Sequence, residues 1–135
     1  GKTKDGNAYY NLAIPPVYSP YFYTNRNDWM ENRRKILEPL FENEKFQGRM
    51  KRLVDSSESL DERENLHKIS APCLVVTCEY DFLVPKLEQE LLVKNIKNAH
   101  HVIVPTYGHG FMYEDPSMFI TLLLGFVLSG GNVTV

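Results

Sequence analysis

The run Cys73-Leu74-Val75-Val76-Thr77, followed by Cys78-Glu79-Tyr80-Asp81-Phe82-Leu83-Val84-Pro85, decides the fold. Its first five residues are β-branched or apolar without alternation. That pattern fits a short strand buried on both faces of a parallel sheet. Pro85 suits the first turn of a helix whose apolar positions are Leu87, Leu91, Leu92 and Ile96. His101-Val102-Ile103-Val104-Pro105 repeats the strand pattern. Asp115-Pro116 then sets up a second helix start, with Asp at the cap and Pro at the first helical position. Phe119, Leu122, Leu123, Phe126 and Val127 are the expected buried stripe of that helix. The order strand, helix, strand, helix implies parallel strands joined by a right-handed crossover.

Upstream the grammar changes. Residues 1–25 hold Tyr9, Tyr10, Pro15, Pro16, Tyr18, Pro20, Tyr21, Phe22 and Tyr23 with no helical or strand period. They read as an irregular aromatic segment that wraps over another surface. From Asp28 a helical period begins, with Asp28 and Glu31 spaced as a capping box. Met30, Ile36, Leu37, Leu40 and Phe41 follow it, and Pro39 is expected to break the run at Glu38 and open a second short helix. Met50, Leu53 and Val54 suggest a third helix, and Ser56, Ser57 and Ser59 the loop after it. The chain thus divides into an irregular segment with a helical cluster over 1–68, an α/β portion over 69–129 and a frayed tail over 130–135.

Charge follows the same division. Residues 1–70 carry 12 basic and 11 acidic side chains, residues 71–135 only 3 and 6. The net charge of −2 offers no electrostatic footprint for nucleic acid or an anionic membrane. The longest apolar run, Phe119 to Leu128, is interrupted by Thr121 and is far short of the roughly 18 residues a membrane span requires. Gly-Lys-Thr-Lys-Asp-Gly at the start has no apolar signal region. Cys73 and Cys78 are five apart, so in a strand they point to opposite faces and do not pair. A reducing, cytoplasmic setting is expected.

In open parallel sheets, reactive groups gather beyond the carboxyl ends of the strands. Asp81 lies in the segment after the first strand, and His109 in Thr106-Tyr107-Gly108-His109-Gly110-Phe111 after the second. A carboxylate and an imidazole on neighbouring loops are natural partners. The carboxylate orients the ring and stabilises its protonated form during proton transfer. Gly108 and Gly110 are expected to let the backbone turn sharply and project the ring.

These residues resemble a known family. Ile69-Ser70-Ala71-Pro72 with the strand and loop through Pro85 looks like the strand and acid loop of the α/β-hydrolase fold, and Tyr107-Gly108-His109 looks like its histidine loop. The charged helices before them resemble its cap. The resemblance implies the C-terminal part of an α/β-hydrolase fold: parallel strands flanked by helices and preceded by a helical cap. It makes Asp81 the triad acid and His109 the general base. It implies hydrolysis of a carboxylic ester, lactone or related small acyl compound, with no cofactor. Two departures stand out. Cys78 occupies the place of a usual glycine, and no Gly-x-Ser-x-Gly nucleophile elbow occurs. Family order places that serine N-terminal to the acid, outside this chain. The chain alone is then inactive by the triad mechanism.

The other candidates weigh less. His100, His101 and His109 fit no usual zinc spacing, so no metal is expected. Cys78 has no basic neighbour in sequence to activate a thiolate. Ser56, Ser57 and Ser59 lie in polar surroundings rather than on a strand–helix elbow. Asn132-Val133-Thr134 matches a glycosylation acceptor without a secretory context. No glycine-rich loop for phosphate is present. The rival class is a non-catalytic ligand-binding or signalling module on a hydrolase-like scaffold. A two-stranded sheet with open edges is also expected to make the isolated chain self-associate into a homo-oligomer.

Overall fold

The computed structural model describes residues 5–132. The expected tail over 130–135 therefore lies partly outside the described residues, as do Val133 and Thr134 of the acceptor motif and the first four residues of the chain. The chain forms two compact units. Among the described residues, one takes 5–15 and 23–61, the other 16–22 and 62–132.

The first unit is helical: α1 (Gly6–Ala13), α3 (Asn27–Glu42) and α4 (Glu44–Ser57); the residues of α2 (Pro20–Asn25) are shared between the two units, with the division after Phe22. The expectation of an irregular segment over residues 1–25 is corrected by α1 and α2. Asp5 caps α1 by accepting from the Ala8 N–H at 3.0 Å. Pro15 and Pro16 fall just after its end, and Pro20 stands at the first position of α2. These prolines punctuate helices instead of excluding them. The capping box is likewise corrected: α3 begins after Arg26 with no side-chain cap, and Asp28 sits within its first turn.

Pro39 lies inside α3 and does not end it. The break comes at Asn43, whose extended backbone stops α3 and whose Oδ1 accepts from the Lys45 and Phe46 N–H groups to start α4. Ser56 and Ser57 belong to the last turn of α4 rather than to a loop, and their hydroxyls donate back to Leu53 and Val54 carbonyls at 2.8 Å. Tyr10, Met30 and Phe41 are buried here, and the Tyr10 hydroxyl donates to the Met30 carbonyl at 2.9 Å. Ile36, Leu40, Leu53 and Val54, expected to face a core, are exposed.

The second unit carries a two-stranded parallel sheet, β1 (Cys73–Tyr80) and β2 (Ala99–Gly108), joined by α5 (Lys86–Asn95). Both strands run three residues past the apolar runs that announce them. Pairing is regular from Cys73↔Ala99 to Cys78↔Val104 and resumes at Tyr80↔Gly108. One residue of β1, Glu79, thus opposes three of β2, Pro105 to Tyr107. Thr106 stands in this bulge with φ of 68°, an unusual state for a β-branched residue.

Alternation along the strands sends Leu74, Val76, Cys78, Val102 and Val104 to one face. There they meet α6 (Phe111–Glu114) and α7 (Pro116–Leu128), with Cys78, Val104 and Phe111 as the buried centre. Burying such side chains stabilises by about 1.5–3 kcal/mol each. Val75 and Thr77 are buried on the opposite face. Asp115 caps α7 by accepting from Met118 N–H at 2.9 Å, as its sequence position predicts. The expected buried stripe of α7 is only half-realised. Phe119 and Leu122 pack on the core, whereas Leu123 and Val127 are exposed. Leu87 of α5, expected inside, is 67% exposed. Among the described residues no helix is long and apolar enough to cross a membrane.

Candidate active site

Asp81 and His109, 28 residues apart in sequence, are brought together at the carboxyl ends of β1 and β2. Asp81 Oδ2 lies 3.0 Å from His109 Nδ1. Its other oxygen, Oδ1, accepts from the backbone N–H groups of Leu83 and Val84 at 3.0 and 2.8 Å. These bonds arise because the loop folds back over its first residue, a habit of short acidic side chains. The Asp81 side chain is 8% exposed and that of His109 is 44% exposed. A carboxylate that already accepts two amides also accepts at Oδ2, so His109 Nδ1 carries the proton. In the neutral ring Nε2 is then the bare nitrogen.

The bulge at the end of β2 sets where His109 leaves the sheet. Glu79 Oε2 accepts from the Thr106 N–H at 3.2 Å and holds the bulged backbone. Gly108 and Gly110 have a different role from the one their sequence suggests. Neither takes a positive φ. A Cβ on Gly108 would lie 2.6 Å from the Ser19 nitrogen, and one on Gly110 would lie 2.8 Å from the Tyr18 ring. Glycine is needed there because Tyr18 and Ser19 press directly on the histidine loop.

Other residues steady the two loops. Gln89 of α5 donates from Nε2 to the Val84 carbonyl at 2.9 Å, behind the acid loop. Glu114 accepts from the Gly108 N–H at 3.0 Å and from Ser19. Neither Gln89 nor Glu114 carries a sequence signal for this role. The Tyr107 hydroxyl donates to Asp115 Oδ2 at 2.8 Å, which raises the tyrosine's pKa. The Asp115 carboxyl is held below the usual range by the Met118 amide and then by Tyr107.

Cys78 stands in ordinary backbone, since Thr106 is the one non-glycine residue at positive φ among the described residues. The loop therefore accommodates cysteine where the family usually has glycine. Burial, with Asp81 and Glu114 nearby, pushes the Cys78 thiol up to about 11, which keeps it protonated and a poor nucleophile. Cys73 and Cys78 are free thiols. The remaining histidines of the second strand stand in packing roles: His101 Nε2 lies 2.7 Å from Thr77 Oγ1, and His100 meets Phe126 edge-on. Among the described residues no group of three or more His, Cys, Asp or Glu side chains is arranged to hold a metal.

With this geometry in place, the class is clear: the chain belongs to the α/β-hydrolases, residues 40–130 matching the family described as TAP-like protein. It is similar to a solved α/β-hydrolase enzyme from a Medee basin deep-sea metagenome library. The two are 44% identical with a TM-score of 0.89, over 99% of this chain and 48% of the other. Over 80 residues it is 36% identical to a pyrrolizixenacetamide deacetylase of Xenorhabdus hominickii, covering 59% of this chain and 30% of that protein. A thermophilic esterase from Thermogutta terrifontis shares the fold at 19% identity and a TM-score of 0.72, over 94% of this chain and 45% of its own. The chain thus spans about half the length of the solved relatives or less.

Proposed function

We propose that this chain supplies the acid and base of a serine hydrolase acting on small acyl compounds: carboxylic esters, lactones or related amides. The observation that carries the reading is the hydrogen bond between Asp81 Oδ2 and His109 Nδ1, with Asp81 itself held by two backbone amides. His109 Nε2 takes the proton of a serine hydroxyl supplied from outside the chain as that oxygen attacks the acyl carbon. Asp81 keeps the ring in the Nδ1–H tautomer and stabilises the imidazolium. The imidazolium then returns its proton to the leaving alcohol or amine, and the cycle repeats with water on the acyl-serine. The charged helices before the sheet are taken as the counterpart of the family's cap. The deacetylase name of the 36%-identical relative supports acyl transfer as the reaction class. The free cysteines fit a reducing, cytoplasmic setting. No nucleic acid, membrane or cofactor enters this reading.

The test joins this chain behind the part of the deep-sea metagenome hydrolase that lies outside their shared span. Hydrolysis of p-nitrophenyl acetate should appear in the joined, folded protein, be absent from the chain alone, and be lost on His109→Ala. Activity that survives His109→Ala would remove His109 from the chemistry. Specific saturable ligand binding that persists in the Asp81→Asn and His109→Ala variants, without hydrolysis, would favour a binding module.

A further inference from the structure

We propose that Glu114 and Ser19 are positioning residues for His109, an inference that rests on reading His109 as the general base. Glu114 ends α6, five residues past the histidine. Its Oε1 accepts from the Gly108 N–H at 3.0 Å and from the Ser19 N–H at 2.8 Å, and its Oε2 accepts from the Ser19 hydroxyl at 2.5 Å. Ser19 is fully buried, and its Oγ also accepts from the Phe22 N–H at 3.2 Å. On the far side of the histidine, the Gly110 N–H donates to the Val17 carbonyl at 2.6 Å.

The N–H groups of the two residues that flank His109, Gly108 and Gly110, are therefore both tied to one segment, Val17–Ser19. One tie is direct and the other runs through the Glu114 carboxylate. Hydrogen bonds to a charged acceptor are about twice as strong as neutral ones, and more so when buried. Asp81 fixes the ring only at Nδ1. Freedom of the main chain at Gly108 and Gly110 would still let the ring swing away from that acceptor, because glycines resist rotation poorly. Glu114 removes this freedom where the loop needs it. The segment 16–22 is separated in sequence from the rest of its unit by Tyr23–Asp61. Its attachment to the histidine loop is thus a long-range contact that ring placement depends on.

The test reads the His109 ring by long-range proton–nitrogen NMR on the full chain, comparing Glu114→Gln, Ser19→Ala and Val75→Ala. Val75 is a buried residue on the opposite sheet face and serves as a control for general loosening. The ratio of Nδ1–H to Nε2–H tautomer should fall roughly tenfold in Glu114→Gln, as expected for losing one charge-assisted bond. It should fall less in Ser19→Ala, which deletes a single hydroxyl, and stay unchanged in Val75→Ala. If Glu114→Gln does not fold, Ser19→Ala decides alone. An unchanged ratio in the folded Glu114 or Ser19 variants overturns the proposal, as does an equal fall in Val75→Ala. A tautomer shift alongside failure of hydrolysis in the joined protein would instead overturn the catalytic reading and leave the positioning role in place.

Discussion

The Tyr107 hydroxyl donates to Asp115 Oδ2 at 2.8 Å while the other oxygen of the same carboxylate caps α7 at the Met118 N–H. One side chain thus ties the histidine loop to the helix that covers the sheet. The Asp115 carboxyl is more acidic than usual, first through the Met118 amide and then through Tyr107. A depressed pKa means that this contribution is present above the unfolded-state value near 4 and is lost as pH falls through the folded one. Urea unfolding at pH 7 should show Asp115→Ala less stable by about 1 kcal/mol. Between pH 5 and 3 the variant should lose less stability than the parent. Parallel acid limbs for the two proteins would show that Asp115 does not stabilise the fold through its ionised form.

Two glycines should respond oppositely to alanine. Gly108→Ala places a Cβ 2.6 Å from the Ser19 nitrogen and should destabilise by about 1–3 kcal/mol through forced backbone shifts. Gly125→Ala, within α7 and with nothing within 4 Å, should stabilise by about 0.5–1 kcal/mol through helix propensity. Thermal melts of the two variants read both signs. Equal effects would mean that Ser19 does not press on the histidine loop.

The strands and the acid–histidine pairing were legible because they rest on local signals. Cys73–Thr77 is an unbroken β-branched run, and Asp81 and His109 each follow a strand end. What escaped depends on long-range packing. Nothing around Glu114 or Ser19 reveals that they meet, since 95 residues separate them. Pro15, Pro16 and Pro20 hide α1 and α2, because prolines at helix boundaries and prolines in irregular chain look alike in sequence. Pro39 misleads in the reverse direction: it sits in the last turn of α3, near the end that Asn43 imposes. The apolar spacing of α7 is real, yet only one side of that helix meets the sheet, so Leu123 and Val127 remain outside.

The exposed apolar surface has a consequence for the isolated chain. The sheet of the described residues has two strands, so each keeps one edge without a partner strand. Leu87, Ile103, Leu124 and Val127 are all exposed. We propose that copies of the chain associate through these surfaces. Multi-angle light scattering at micromolar concentration should give a mass of at least twice 15.6 kDa. Ile103→Lys should shift the population toward monomer. A monodisperse monomer of the unmodified chain would contradict the proposal.

The most direct measurement is the turnover of the joined protein carrying Asp81→Asn. Asparagine keeps the shape of the loop and removes the carboxylate that selects the His109 tautomer. With Asp81 orienting His109, kcat should fall about 10⁴-fold with KM and folding stability little changed. A variant within tenfold of the parent kcat would show that Asp81 does not orient the base and that the acid–histidine pair does not drive the hydrolysis.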